Sequence, residues 1–222
     1  MIPRELIGTA EVPGGEPLRL FRRGRDFMIV VDRNELMNSR MSGSEEALAN
    51  LTIERLRTPE PRLLIGGYGM GFTLRAALAR LPRTGAVEVA ELVPGIIDWA
   101  RGPMAELTAG CLDDPRVRIR LEDVGAVIAI ARGAYDAILL DVDNGPDGLT
   151  RHSNEWLYTP AGIAAAKTAL RPGGILAVWS AAPDAPFARR LKAGGFDVEE
   201  MALHARSNGK GPRHVIWFAR RR

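Results

Sequence analysis

The sequence holds one cysteine, Cys111, and three histidines, His152, His204 and His214, in 222 residues. A single cysteine excludes a disulfide framework, and no two histidines stand at a metal-ligand spacing, so no metal site is expected. Lysine is also scarce. Of 30 basic residues only Lys167, Lys192 and Lys210 are lysines, and the rest are arginines. These charges are dispersed, apart from Arg22, Arg23 and Arg25 and the terminal Arg220, Arg221 and Arg222, and the net charge is +3. A nucleic-acid binder clusters its charge on one face, so no nucleic-acid partner is expected. No apolar run reaches the roughly 20 residues of a membrane span. Residues 1–16, with Pro3, Pro13, Gly14 and Gly15, hold no signal-peptide core. The expectation is a cytoplasmic protein with no membrane partner. Neither a G-x-S-x-G elbow nor a phosphate loop ending in Lys and Ser/Thr occurs, which removes support for hydrolase and kinase chemistry.

What is present is ordinary globular composition, 46% hydrophobic and 26% charged. Residues 17–37 alternate apolar and polar around Arg23-Gly24-Arg25-Asp26, the pattern of a β-hairpin, with Leu36 and Met37 adding a third short strand. Ser44 followed by Glu45 and Glu46 reads as a helix start, Ser44 as its N-cap, and Pro59 and Pro61 end the segment. We divide the chain here, into an N-terminal β-hairpin and first helix, 1–58, and a nucleoside-binding α/β domain, 59–222. From Arg62 onward apolar strands alternate with helices: strands at 63–65, 86–90, 117–121, 135–140 and 175–179, helices at 73–81, 94–100, 124–131, 160–170 and 186–193. That alternation predicts an α/β fold with a doubly wound, mostly parallel sheet. Residues 196–205 and 214–219 are joined without a helix, which predicts an antiparallel C-terminal edge strand.

Four strand ends carry polar elements, and in such sheets ligands bind at the C-terminal edge. The first strand runs into Gly66-Gly67-Tyr68-Gly69-Met70-Gly71, a loop before a helix, where Gly66, Gly67, Gly69 and Gly71 allow a tight turn and close approach to a ligand. Glu91 ends the next strand, 20 residues after Gly71, where a carboxylate can accept from both ribose hydroxyls. Glu122 and Asp123 end the third strand. Asp123 can accept from an adenine amino group, cap the helix from Val124, or do both. Asp141 ends the fourth strand, with Asp143 two residues on. Two near carboxylates can bind or deprotonate an amine, although Asp143-Asn144-Gly145-Pro146 equally suits a plain turn. Trp156-Leu157-Tyr158 can wall a substrate pocket or pack in the core.

The same residues resemble the spermidine synthase (polyamine aminopropyltransferase) family, within the S-adenosylmethionine-dependent methyltransferase (class I, Rossmann-like) fold. The similarity runs over about 62–182 and more loosely before it. Residues Leu64-Ile65-Gly66-Gly67-Tyr68-Gly69-Met70-Gly71 are similar to that family's strand and glycine loop. Val89-Ala90-Glu91-Leu92-Val93-Pro94 resembles the strand whose acid holds the ribose, and Asp114-Pro115-Arg116-Val117 with Glu122-Asp123 the motif beside adenine. Tyr135-Asp136-Ala137-Ile138-Leu139-Leu140-Asp141 resembles the strand that delivers the catalytic aspartate. The differences fall on the amine side. The loop Tyr68-Gly69-Met70 has no acid where the family's glycine loop carries one, Val93 stands where a second acid follows, Asn144 near the second catalytic aspartate, and Ser44-Glu45 where a Tyr-Gln pair opens the first helix.

The resemblance implies a transferase acting on a small amine with S-adenosylmethionine or its decarboxylated form. Asp141 and Asp143 would be catalytic; Gly66, Gly67, Gly69, Gly71, Glu91, Glu122 and Asp123 would hold the nucleoside. A homodimer through the N-terminal region is a further implication. Methyl transfer to a small acceptor and a non-catalytic nucleoside binder are the alternatives.

Overall fold

The computed structural model describes residues 3–142, 146, 154–205, 209 and 211–222. Asp143, Asn144 and His152 lie outside the described residues.

The N-terminal segment forms a four-stranded antiparallel meander: β1 (Glu5–Ala10), β2 (Leu18–Arg23), β3 (Asp26–Val31) and β4 (Asn34–Asn38). The expected hairpin is β2–β3, with Arg23 paired to Asp26 across Gly24 at φ +63°. Strand β1 is an addition. Its sequence ELIGTA shows no clean alternation, and only Ala10 is buried. Its place comes from pairing with β2 and from packing on a helix rather than from its own pattern.

Helix α1 (Gly43–Glu54) follows, then β5 (Arg62–Gly66), α2 (Phe72–Arg80), β6 (Ala86–Ala90), α3 (Pro94–Arg101), the single turn α4 (Ala105–Thr108), β7 (Val117–Arg120) and α5 (Val124–Ile130). The second half holds β8 (Tyr135–Leu140), the single turn α6 (Glu155–Tyr158), α7 (Pro160–Ala169), β9 (Leu170–Ser180), α8 (Ala185–Ala193), β10 (Phe196–His204) and β11 (Arg213–Arg221). The seven strands order β10-β11-β9-β8-β5-β6-β7. The chain starts in the middle with β5, moves out through β6 and β7, then returns to the other side of β5 with β8. That reversal between β5 and β8 opens a crevice at the strand C-termini. The expected antiparallel strand at the C-terminal edge is β11, bonded on one side to β9 and on the other to β10, the outermost strand.

Side chains alternate across the sheet, as a period of two requires. Leu63, Ile65, Ala137 and Leu139 face the core beneath α1, α2, α3 and the N-terminal sheet. Leu64, Ile138 and Leu140 face α5, α7 and α8. Each fully buried leucine or isoleucine contributes roughly 1.5–3 kcal/mol. The meander closes onto α3 by backbone approach. A Cβ on Gly95 would meet Ala10 Cβ at 2.5 Å, and one on Gly8 would meet Trp99 Nε1 at 2.8 Å.

Three local expectations change. The N-cap of α1 is Ser42, not Ser44, because the Ser44 hydroxyl is taken by other partners. Strand β9 begins at Leu170, ahead of Arg171-Pro172-Gly173-Gly174, which forms a register shift within the strand rather than a connecting turn. Leu170 pairs with Tyr135 and Ile175 with Ala137, and Gly173 at φ +77° takes up the extra length. Of Trp156-Leu157-Tyr158, the last two are buried and Trp156 packs on the same apolar cluster. This trio serves the core.

Candidate functional site

Backbone hydrogen bonds tie the strand tips together. Asp141 N–H donates to Gly66 O (3.0 Å), Gly67 N–H to Ala90 O (2.9 Å), and Glu91 N–H to Arg120 O (2.9 Å). The residues just beyond β8, β5, β6 and β7 are therefore adjacent, although they are scattered in sequence. They edge a cavity of about 280 Å³. Its floor includes Gly67, Gly69, Glu91, Asp123 and Asp141, and its roof is the inner face of the N-terminal sheet, with Leu18, Ile29, Val31, Leu36 and Met37.

Two of the four loop glycines line this cavity. Gly67 has φ +84°, and a Cβ there would overlap the carbonyl oxygen of Asp141. Gly69 has φ +54°, and a Cβ there would meet Met37 Cε at 2.7 Å, so β4 lies directly on the loop. Gly66 ends β5 against Val124 and Leu140, and Gly71 precedes α2 with φ +79° beneath the Tyr68 hydroxyl. Neither of these is among the cavity-lining residues.

Gly67→Ala is expected to lose at least about 3 kcal/mol of stability, because positive-φ strain adds to a clash with rigid backbone. Gly110→Ala is the comparison. Its φ is +72° with nothing within 4 Å, so it should lose only about 1 kcal/mol. Urea unfolding of the two variants measures the difference, and equal losses would refute the clash.

Glu91 is buried, and both its oxygens are held. Oε2 accepts from Tyr68 N–H (2.9 Å) and Oε1 from Val93 N–H (2.8 Å). Burial raises its pKa, and these backbone N–H groups oppose the rise. The N–H groups of Gly69 and Leu92 act in the same sense, so the carboxylate is held at a fixed orientation on the cavity wall. Asp123 caps α5, its Oδ1 accepting from Gly125 N–H (2.7 Å) and Ala126 N–H (3.3 Å), while the residue also lines the cavity. Capping and lining coexist in this one carboxylate. Glu122 lies at the exposed rim, where Arg120 binds it at 2.5 Å and also reaches Glu88 at 3.1 Å.

Asp141 is half-buried at the cavity wall, and its Oδ2 accepts from the Thr73 hydroxyl at 2.7 Å. Burial pushes its pKa up to about 6. Opposite it stands Glu45, which the sequence reading treated only as a first-turn acid. Burial first, and the charge of Asp141 second, push Glu45 up to about 8. The two carboxylates meet because α1 directs its N-terminal turn at the C-terminal edge of the sheet, where Gly43 N–H donates to Ala205 O at 2.9 Å. Glu45, Thr73, Trp179 and the apolar roof were all missed. The only signals were the Ser44-Glu45 departure from the family's helix opening and the one-sided alternation of 18–31.

The spermine/spermidine synthase domain model matches residues 41–185. A polyamine aminopropyltransferase from Nitrosomonas europaea is 32% identical over 142 residues, 63% of this chain and 42% of that protein. Putrescine N-methyltransferase 4 from Nicotiana tabacum is 33% identical over 132 residues, 59% of this chain and 32% of that protein. The chain thus spans about a third to two fifths of the curated relatives it matches. A crystal structure of spermidine synthase from Thermotoga maritima superposes with a TM-score of 0.77 at 19% identity, over 98% of this chain and 73% of that one. A spermidine synthase in complex with the transition-state analogue AdoDATO gives 0.75 at 18%, over 98% and 72%. These two likenesses show the fold, with its N-terminal sheet and large mostly parallel sheet. The family model covers more than half of the chain, and the chain belongs to the spermine/spermidine synthase domain family.

Proposed function

We infer that the protein is an aminopropyltransferase that uses decarboxylated S-adenosylmethionine and a small amine acceptor. One observation carries this. Glu91, at the tip of β6, and Asp141, at the tip of β8, open into one cavity on either side of a loop whose lining residues, Gly67 and Gly69, have no side chains. The residues suit a nucleoside donor: Gly67 and Gly69 bring loop backbone to the cavity wall, and Glu91 holds a carboxylate of fixed orientation beside it. In this reading Glu91 takes the ribose hydroxyls, while Asp123 and Glu122 border the base. Gly66 and Gly71 shape the loop. The donor supplies a carbon activated by a sulfonium, so the protein's task is mostly positioning. Asp141 orients the attacking amine and accepts its proton, and Asp143, outside the described residues, is assigned a catalytic part with it. The apolar roof excludes water. Residues 1–58 provide the roof and Glu45, and 59–222 the nucleoside site.

A second reading is methyl transfer from intact S-adenosylmethionine. It is favoured by the loop Tyr68-Gly69-Met70, which lacks the acid that the family's glycine loop carries toward the aminopropyl donor; the Tyr68 hydroxyl lies 3.4 Å from Cys111 Sγ, away from the cavity. Calorimetric titration with S-adenosylmethionine, its decarboxylated form and methylthioadenosine separates the two. Preference for the decarboxylated donor, lost in Glu91→Ala, is the expected result. Preference for the intact donor selects methyl transfer, and binding of none of the three overturns both.

A further inference from the structure

Asn154 lines the cavity and is only 7% exposed. It stands at the N-cap of α6, where an asparagine side chain ordinarily accepts from the N–H groups of the first turn. Here it makes no such bond. The reason is local. Asp123, Thr159 and Asp184 are extended at the starts of α5, α7 and α8, and each caps its helix. Asn154 is already helical, with φ −80° and ψ −13°, so its side chain is not presented to its own first turn. Among the described residues the carboxamide has no other hydrogen-bond partner. A buried carboxamide carries two donors and an acceptor that need partners, and the cavity is the space beside it.

The position of α6 places this amide at one end of the cavity. A Cβ on Gly125 would meet Asp123 Oδ1 at 2.8 Å and Trp156 Cε3 at 3.3 Å, so the first turn of α6 lies against the cap of α5. Val124, Leu157 and Tyr158 share one apolar cluster, on the sheet face opposite the one that α1 covers through Leu48 and Ala49. Asn154 is therefore on the Asp123 side of the cavity, and Glu45 of α1 is on the other.

Asp123 is partly committed. Both of its cap bonds, from Gly125 N–H (2.7 Å) and Ala126 N–H (3.3 Å), fall on Oδ1, which leaves Oδ2 for a ligand. An ionised carboxylate only accepts, so it can register an amino group but not a ring nitrogen. A carboxamide offers an acceptor and a donor side by side. That pair matches an adenine edge, where an amino group adjoins a ring nitrogen with a lone pair.

We propose that Asn154 reads the base of the donor and sets its specificity for an exocyclic amino group. Its Oδ1 accepts one amino hydrogen, its Nδ2 donates to the adjoining ring nitrogen, and Asp123 Oδ2 accepts the second amino hydrogen. The proposal rests on the nucleoside site of the proposed function and names the recognised class as an aminopurine nucleoside. A base with a carbonyl in place of the amino group turns an acceptor toward two acceptors. Buried polar groups are then left unpaired, which is the source of strong discrimination.

The test is calorimetric titration with methylthioadenosine and with methylthioinosine, which differ in that one group. The wild type is expected to prefer methylthioadenosine on the order of 100-fold, within the range of a bidentate amide–base contact. Asn154→Leu keeps the size of the side chain and removes its polar atoms. The preference is expected to fall about tenfold or more, because methylthioadenosine loses two hydrogen bonds and methylthioinosine loses none of equal quality. Asn154→Gln keeps the carboxamide on a longer arm and is expected to retain more of the preference than Asn154→Leu. Cooperative thermal unfolding shows that both variants are folded. The ratio of the two affinities is the informative readout, since a residue that only shapes the cavity would weaken both nucleosides alike.

If neither nucleoside binds the wild type, the nucleoside reading falls and this inference falls with it. If both bind the wild type equally, or if Asn154→Leu leaves the ratio unchanged, the inference alone is overturned and the nucleoside site stands.

Discussion

Asp141→Asn is expected to lower the rate of amine transfer by about 10²–10⁴, the usual contribution of a positioned base. Asparagine matches aspartate in shape, and its side-chain oxygen can still accept the hydroxyl proton of Thr73, which now bonds Asp141 at 2.7 Å. The local geometry should therefore survive. The ability to accept a proton from the amine is what disappears. Methylthioadenosine affinity is expected to stay within a few-fold, because the proposed function gives that part of the ligand to Glu91, two strands away at the tip of β6. The pH dependence gives a second signature. Burial places Asp141 near 6, so the wild-type rate should fall as pH drops through about 6, and the variant should lack that limb. The assay follows methylthioadenosine formation from decarboxylated S-adenosylmethionine and putrescine. A variant with the wild-type rate and the same acid limb would remove Asp141 from the mechanism.

Unfolding free energy is expected to fall as the pH rises from about 4.5 to about 8, and Glu45→Gln is expected to flatten that decline. The pKa of Glu45 rises from 4.5 to about 8 on folding. Between those values the folded state holds a proton that the unfolded chain has released. The associated stability is fully present below 4.5 and is lost as the pH passes through the folded value. Asp141 acts with the same sign between 3.8 and about 6, and the buried Glu91, also raised, adds to it. One pKa unit corresponds to about 1.4 kcal/mol, so the loss attributable to Glu45 is on the order of 5 kcal/mol. Glutamine at 45 carries no charge at any pH, so the difference between wild type and variant isolates this residue. The variant should match the wild type near pH 4.5 and exceed it at pH 8.5. Urea unfolding across that range measures both curves, and a variant as steep as the wild type would show that Glu45 ionises freely in the folded protein.

Much of the second half of the fold is legible because its signals are local. Leu63-Leu64-Ile65 and Ala137-Ile138-Leu139-Leu140 are short apolar runs buried on both faces, and the apolar pattern breaks at Gly66-Gly67 and at Asp141. Pro94 opens α3 and Thr159 caps α7, its hydroxyl accepting from Gly162 N–H, where the chain chemistry places them. Failures occur where tertiary contacts compete with local preference. Ser44 has the right neighbours for an N-cap, yet its hydroxyl serves Glu45 and His214. Strand β1 is half-exposed and forms only because β2 and α3 hold it. The helices α4 and α6 are single turns, too short to show a period.

The candidate site divides the same way. Gly67, Gly69, Glu91, Asp123 and Asp141 each sit just past a strand, so a reading of strand ends brings them to one edge of the sheet. Their residue types carry the chemistry, and the sequence alone determined that a glycine loop and a set of acids would line a ligand crevice. Which acid faces which was decided by the tertiary structure. Glu45, Thr73, Trp179 and His214 belong to four different elements, and they meet only once α1 has docked on α2 and β11 has entered the sheet beside β9. The apolar roof from β2, β3 and β4 depends likewise on how the meander closes over the loop, with Met37 resting on Gly69. Contacts of this kind arise from sheet order and docking between residues distant in the chain, and no local pattern specifies them. Burial follows from that docking, and burial is what raises Glu45 and Asp141 and turns two ordinary carboxylates into a coupled pair.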